Sequence, residues 1–220
     1  MKLETAIRTR RSIRVYKPDP VPPAIIMEIM DTARWSPSWA NTQCWHVHVV
    51  TGGALERIKA ALRQAERDAF PATPDFRMQT SPWPETLRKR TQALMKEITS
   101  ARTAADGEPG ASPPDPYDFF GAPCLLFIDV DAGLAPDYAC FDAGLFTQSL
   151  CLAAHDRGLG TCIMARAVRR PEVLRAMLPQ TDGRSFVIAI AIGWPDSETP
   201  INAFPRDRAD LEELVSWSDS

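Results

Sequence analysis

Two stretches of this chain lack any polar alternation, and they limit its fold more than any other feature. Residues 123–130 begin Pro123-Cys124-Leu125-Leu126-Phe127-Ile128, and residues 185–194 run without a charge. Both are far shorter than the roughly 20 apolar residues a membrane helix needs, so they read as strands buried on both faces. A sheet covered on two sides requires helices on each side. That leaves an α+β or mixed α/β layer with few strands.

The remaining periodicity supplies those helices. A short one is predicted at 3–10. A stronger one spans 22–35, where Pro22 and Pro23 suit a first turn and Ile25, Ile26, Ile29, Met30 and Ala33 recur at helical spacing. It must end near Ser36-Pro37. Trp45 to Val50 is rich in strand formers and Gly52-Gly53 closes it, after which Leu55, Ile58 and Leu62 mark another helix. A charged helix is predicted at 85–104 and a short one at 170–178. The stretch 137–157 is nearly uncharged and apolar around much of its surface, which predicts a central or interfacial helix. Gly158 and Gly160 read as punctuation behind it. The resulting order, α-α-β-α-α-β-α-α-β, has three strands. Proline-rich residues 70–84 and 106–118 read as loops, either lids or insertions. The polar tail, 195–220, carries an apolar patch at Leu211, Leu214, Val215 and Trp217.

Charge narrows the function classes. Lys plus Arg is 25 and Asp plus Glu is 28, a net charge of −3, so nothing drives the whole chain toward nucleic acid. Any anion site must be local. The N-terminus has no apolar signal segment, and five cysteines (Cys44, Cys124, Cys140, Cys151, Cys162) include no CxxC pair. Reduced thiols in a cytoplasmic protein without a membrane partner are expected.

Three constellations could carry chemistry. Arg8-Thr9-Arg10-Arg11-Ser12-Ile13-Arg14 holds four guanidinium groups, which either solvate as a basic face or bind a phosphate bidentately. Ser36-Pro37-Ser38-Trp39-Ala40-Asn41-Thr42-Gln43-Cys44-Trp45 gathers hydroxyls, amides and indoles that either fill core or read a heteroaromatic ring. Arg206-Asp207-Arg208 is either surface charge or a second basic arm. His46 and His48 share a strand face and read as a structural pair, under-liganded for a metal.

Taken together, Arg10-Arg11-Ser12-Ile13-Arg14, Ser36-Pro37-Ser38 with Asn41, Gln43 and Trp45, Gly158-Leu159-Gly160-Thr161 and Pro205-Arg206-Asp207-Arg208 resemble the nitroreductase family of FMN-dependent oxidoreductases. The resemblance runs from residue 3 to about 208 and is weakest at a proline-rich insertion, about 64–120, within a single domain spanning 1–220. It implies an α+β fold with a small mixed sheet flanked by helices, and a homodimer with FMN at the interface. By residue, it implies that Arg10, Ser12, Arg206 and Arg208 hold the phosphate and ribityl end, with Arg11 at a variable position beside them. Arg14 would sit near the pyrimidine side and tune the flavin. Pro37, Ser38, Trp39 and Asn41 would contact the flavin from the partner subunit, and the backbone at Met164 and Ala165 would face flavin N5. Two departures stand out: Cys44 replaces a common proline, and Ile163-Met164-Ala165-Arg166 replaces a common Pro-x-Glu-Gly.

The implied chemistry is electron transfer from NAD(P)H by a ping-pong mechanism, with no protein nucleophile, to a planar electron-poor compound, foremost a nitroaromatic. Quinones, enones or aryl halides are the alternatives, as is a flavin-binding protein without turnover. No strand-linked GxGxxG is present, which fits nicotinamide binding without a Rossmann domain. Trp39, Trp83, Phe119 and Phe120, with Tyr117, are the candidate substrate-facing aromatics.

Overall fold

The computed structural model describes residues 1–78, 82–106 and 115–218. Four strands form one sheet: β1 (Trp45–Thr51), β2 (Cys124–Asp131), β3 (Gly160–Met164) and β4 (Arg184–Gly193), in the order β1-β2-β4-β3. Every neighbouring pair is antiparallel. The parallel component is an isolated bridge between Ser12 and Thr161.

The two non-alternating runs are the central strands, and each face of the sheet takes alternate residues. Leu126, Ile128 and Val130 of β2 and Ile190 and Ile192 of β4 face one core. Leu125 and Phe127 with Ala189 and Ala191 face the other. Full burial of a side chain such as Phe127 contributes about 1.5–3 kcal/mol, so polar alternation here would remove one of the two layers.

Among the described residues there are seven helices: α1 (Leu3–Thr9), α2 (Pro23–Ala33), α3 (Gly52–Arg67), α4 (Glu85–Asp106), α5 (Pro136–Asp156), α6 (Pro171–Arg175) and α7 (Leu211–Leu214). Helices α2 and α5 cover the first face through Ile26, Ile29, Phe146 and Leu150. Helices α3 and α6 cover the second through Leu55, Ile58, Leu62 and Leu174. Helix α5 is central, as its uniform apolarity predicts, with Ala143, Leu150, Cys151 and Ala154 fully buried. Helix α4 leans Ile98 and Ala101 on Ile201. No helix among the described residues is long and apolar enough to cross a membrane.

Three strands are expected from the sequence, and four are present. Strand β3 is the addition: Gly160, read as punctuation, is its first residue. At 70–84, the described part is less of a free lid than its prolines suggest. Phe76 packs on the first core and Met78 on the second, while Asp75 accepts from Phe186 N at 2.8 Å and Arg175 Nη2 at 2.7 Å. Residues 79–81 of that loop and 107–114 of the second lie outside the described residues.

Candidate active site

Helix α1 ends at Thr9, leaving carbonyls with no partner inside the helix. Arg206, from the other end of the chain, supplies the donors. Its Nη2 donates to Arg8 O at 2.8 Å and its Nη1 donates to Arg10 O. Past the helix, the chain runs beside β3, where Ile13 N donates to Thr161 O at 2.9 Å. Asn202 locks this arrangement. Its Oδ1 accepts from Arg14 N at 2.7 Å, its Nδ2 donates to Val15 O at 2.7 Å and its carbonyl accepts from Arg11 Nη1 at 2.7 Å.

Residues 10–14 and 202–208 therefore meet across the molecule and bring their arginines together. Every ion pair among the described residues uses other cations than Arg10, Arg11, Arg14, Arg206 and Arg208. Burial, and then the charges of Arg11, Arg208 and Arg10, pull the Arg206 guanidinium below its ordinary pKa. Arg10 Nε is buried with no hydrogen-bond partner. An unsatisfied buried donor costs about 1–3 kcal/mol, and an unneutralised guanidinium cluster adds repulsion. A bound anion relieves both. A phosphate fits this donor set, because guanidinium N–H groups present in pairs match its oxygens.

Arg14 lies on the same edge, its guanidinium over the Phe204 ring at 5.7 Å and Nη1 donating to Ser12 O at 3.2 Å. The parallel bridge at Ser12 aligns this segment with β3, so Arg14 lies toward the end of the strand that carries Met164 and the exposed Ala165. A cleft of about 590 Å³ opens beside Arg206 and Arg208, walled by Leu3, Glu4, Ile7 and Arg8. Neither Ser12, Arg14 nor Met164 lines it.

The second constellation is held elsewhere. Pro37 and Ser38 lead into a 3-10 turn at Trp39–Asn41, and Ala40, Asn41 and Gln43 all have positive φ (49°, 58° and 48°). Ser38 Oγ accepts from Gln43 N at 2.9 Å, and the buried Asp142 of α5 accepts from Trp39 N at 3.0 and 3.1 Å. Arg10 acts on the opposite end of α5, where it depresses the His155 pKa after burial does. The separation between Asp142 and His155 along the helix axis is about 20 Å. Within one chain, then, the structure brings Arg10, Arg11, Arg206 and Arg208 together, with Ser12 and Arg14 on the adjoining segment, and holds Trp39 at the other end of α5 from this cluster.

The substrate-facing aromatics divide. Trp39 and Trp83 are 63% and 42% exposed, and Phe120 is partly buried. Phe119 and Tyr117 do not meet the expectation: each is 2% exposed and packs in the second core, edge-on to the other at 6.3 Å, so neither lines a rim.

Three contributors were not picked out from the sequence. Asp142 had a signal, being the lone charge inside an apolar helix. Asn202 had none. Asp129 joins the histidine pair: His48 Nε2 lies 2.6 Å from its Oδ2, and Arg184 Nε donates to its Oδ1. Ordinary strand alternation puts this carboxylate on the Phe127 face, and the β-bulge beside it places its extra residue, Val187, in β4. Both Asp129 oxygens are engaged by protein donors, and Arg184 Nη2 extends the network to Cys44 O at 3.1 Å. His46 Nδ1 is buried with no hydrogen-bond partner among the described residues, 3.9 Å from Asp129 Oδ1. Asp129 thus adds a third possible metal-ligand atom to the histidine pair.

Known proteins can be set against this geometry. The Nitroreductase family model matches residues 7–194. The chain belongs to the nitroreductase family. A 4-nitrobenzoate reductase of Pseudomonas putida is 32% identical over 94% of this chain and 92% of its own. A nitrobenzene nitroreductase of Ectopseudomonas oleovorans is 30% identical over 98% and 96%. The crystal structure of the FMN-dependent nitroreductase NfnB from Mycobacterium smegmatis, in complex with NADPH, superposes with a TM-score of 0.87 at 27% identity, covering 98% of this chain and 97% of that one. The nitroreductase match ends at residue 194, so the arginines at 206 and 208 lie beyond it.

Proposed function

We propose that this nitroreductase is an FMN-dependent enzyme that uses NAD(P)H to reduce nitroaromatic compounds. The observation that carries the reading is the arginine cluster from both chain ends, whose guanidinium groups form no ion pair among the described residues, and which leaves a buried Nε on Arg10 unpartnered there. The names of the similar proteins point the same way, to nitroarene substrates and to FMN with NADPH.

FMN supplies two-electron chemistry between a nicotinamide and an electron-poor acceptor when bound. Arg10, Ser12 and Arg208 hold its phosphate and ribityl end, and Arg206 braces the segment on which they stand. Arg11, half committed to Asn202, adds charge. Arg14 places a fixed cation where negative charge gathers on reduction, which favours the reduced state. The backbone at Met164 and Ala165 faces the ring edge. Pro37, Ser38, Trp39 and Asn41 reach the flavin of a second copy, consistent with their separation from the phosphate end within one chain. Trp39, Trp83 and Phe120 bound the substrate slot. The chain works as a homodimer in a reducing, cytoplasmic setting, a reading supported by its five free thiols.

Purified protein is expected to be yellow and to release FMN on denaturation. NADPH and nitrobenzoate should give parallel double-reciprocal lines. A colourless protein that FMN cannot reconstitute would falsify the reading. Arg208→Ala is the cleaner probe of the phosphate site, because Arg206 also caps α1. Loss of one charge-assisted contact, about 1.5–3 kcal/mol, should weaken FMN binding roughly 10- to 100-fold with the fold intact. An unchanged dissociation constant removes Arg208 from the site.

A further inference from the structure

Helix α5 carries a feature that neither the family nor the cofactor explains. Asp142 is a carboxylate 3% exposed in the interior of a mainly apolar helix, and burying a charge is costly. Among the described residues, the one hydrogen-bond donor it meets is the backbone N–H of Trp39, shared between its two oxygens at 3.0 and 3.1 Å. One turn earlier on the same face, Tyr138 sets its ring against the Trp39 indole, with centroids 5.7 Å apart. The helix therefore grips a single residue twice, by its main chain and by its side chain.

The backbone just past Trp39 explains the need for a grip. Ala40 and Asn41 both sit in the left-handed region, at φ 49° and 58°. Such a backbone costs free energy at non-glycine residues and persists only where its surroundings over-determine it. Ser38 Oγ closes the loop from within by accepting from Gln43 N, and Arg184 holds its far end through Cys44 O. The loop is bound at both ends, and its bulkiest side chain, 63% exposed, projects from the middle.

We propose that Tyr138 and Asp142 are positioning residues for substrate specificity: they fix the Trp39 indole as a rigid plane at the rim of the flavin site, where it selects flat aromatic acceptors. This rests on the proposed function. Neither residue touches substrate; both act through Trp39. Selection arises because a pre-set indole meets an arene without first losing its own rotamer freedom, whereas a loose one admits acceptors of other shapes.

The test is a double-mutant cycle on the FMN-loaded enzyme, with nitrobenzoate as acceptor and NADPH saturating. Tyr138→Leu and Asp142→Asn should each raise KM by about threefold to tenfold, the size of an aromatic pair or of a weakened hydrogen bond, with kcat little changed. Trp39→Ala should raise KM by itself. In the Trp39→Ala background, Tyr138→Leu and Asp142→Asn should then add nothing, because the group they place has gone. Effects of either variant that persist undiminished in that background, or variants that lower the thermal midpoint without moving KM, overturn the proposal. Tyr138 is 59% exposed, so its variant folds even if Asp142→Asn does not. A wild-type protein that takes up no FMN overturns the proposed function and this inference together. A flavoprotein without nitroarene turnover overturns the activity alone. The same cycle is then read from the dissociation constant of benzoate, followed by the flavin absorbance.

Discussion

Gly160 shows how one absent side chain sets the course of the segment proposed to hold the phosphate. A Cβ built there would lie 2.5 Å from Ile13 Cγ1 and 3.0 Å from Ile13 Cβ. The first is closer than real side chains come and the second is tight, and Ile13 is itself buried, at 6% exposed. The hydrogen bond from Ile13 N to Thr161 O needs this approach, and Arg10, Ser12 and Arg14 take their places from it. Gly160→Ala should therefore destabilise the protein by about 1–3 kcal/mol, as overpacking does. It should also weaken FMN binding, although no flavin-contacting side chain changes. Thermal melts and an FMN titration measure the two effects. An unchanged FMN affinity would show that the segment keeps its course without this contact.

At the scale of elements, one face of α3 clasps the chain that leads into β2. Lys59, only 6% exposed, lies 3.0 Å from Glu56 and 3.6 Å from Asp118, and Arg63 pairs with Asp115. Glu66 accepts from Tyr117 Oη at 2.7 Å and pairs with Arg170 Nη1 at 2.5 Å. The Tyr117 hydroxyl and then Arg170 hold the Glu66 carboxyl below its ordinary value of 4.5. A carboxyl shifted down on folding adds stability above that ordinary value and loses it as pH falls through the lower folded value. Glu66→Gln should thus lower the thermal midpoint at pH 7. The gap to the wild type should narrow as pH falls below 4.5 and through the lower folded value. Melts of both proteins across the acid range check it, and a gap that does not narrow there would show that the clasp is not ionic.

The whole molecule combines a net charge of −3 with a local surplus of guanidinium groups, so anion binding should depend on the cluster and not on the overall field. FMN carries a phosphate and riboflavin does not. At a hundred times its dissociation constant, FMN should stabilise the fold by about 2.7 kcal/mol. Riboflavin at the same concentration should give far less, and equal midpoint shifts for the two would remove the phosphate assignment. The surface also bears large apolar side chains that a single copy leaves open: Leu3 and Ile7 on α1, Tyr138 and Phe141 on α5, and Trp217 in the tail. A second copy covering such residues is the proposed homodimer. Sedimentation should return twice the mass of one chain, little changed by salt, because apolar burial is not screened. A monomer at micromolar concentration would rule the dimer out.

The sequence by itself determined the layers. Apolar runs within 123–130 and 185–194, without polar alternation, had to become doubly covered strands, and the spacing of Ile26, Ile29, Leu55, Ile58 and Leu62 had to yield amphipathic helices, because periodicity is a property of near neighbours. It also named the arginines. Tertiary structure alone decided how they work. That Arg206 caps α1, that Asn202 ties down residues 11–15 and that Asp142 holds Trp39 all depend on backbone atoms 100 to 200 positions away, which leave no trace in local composition. The same limit explains β3, a short edge strand whose partners lie on β4 and at Ser12. It explains Phe119 too. An aromatic beside a proline-rich stretch suits a rim as well as a core, and the turn at Phe119–Gly121, with positive φ at Phe119 and Phe120, sends it inward.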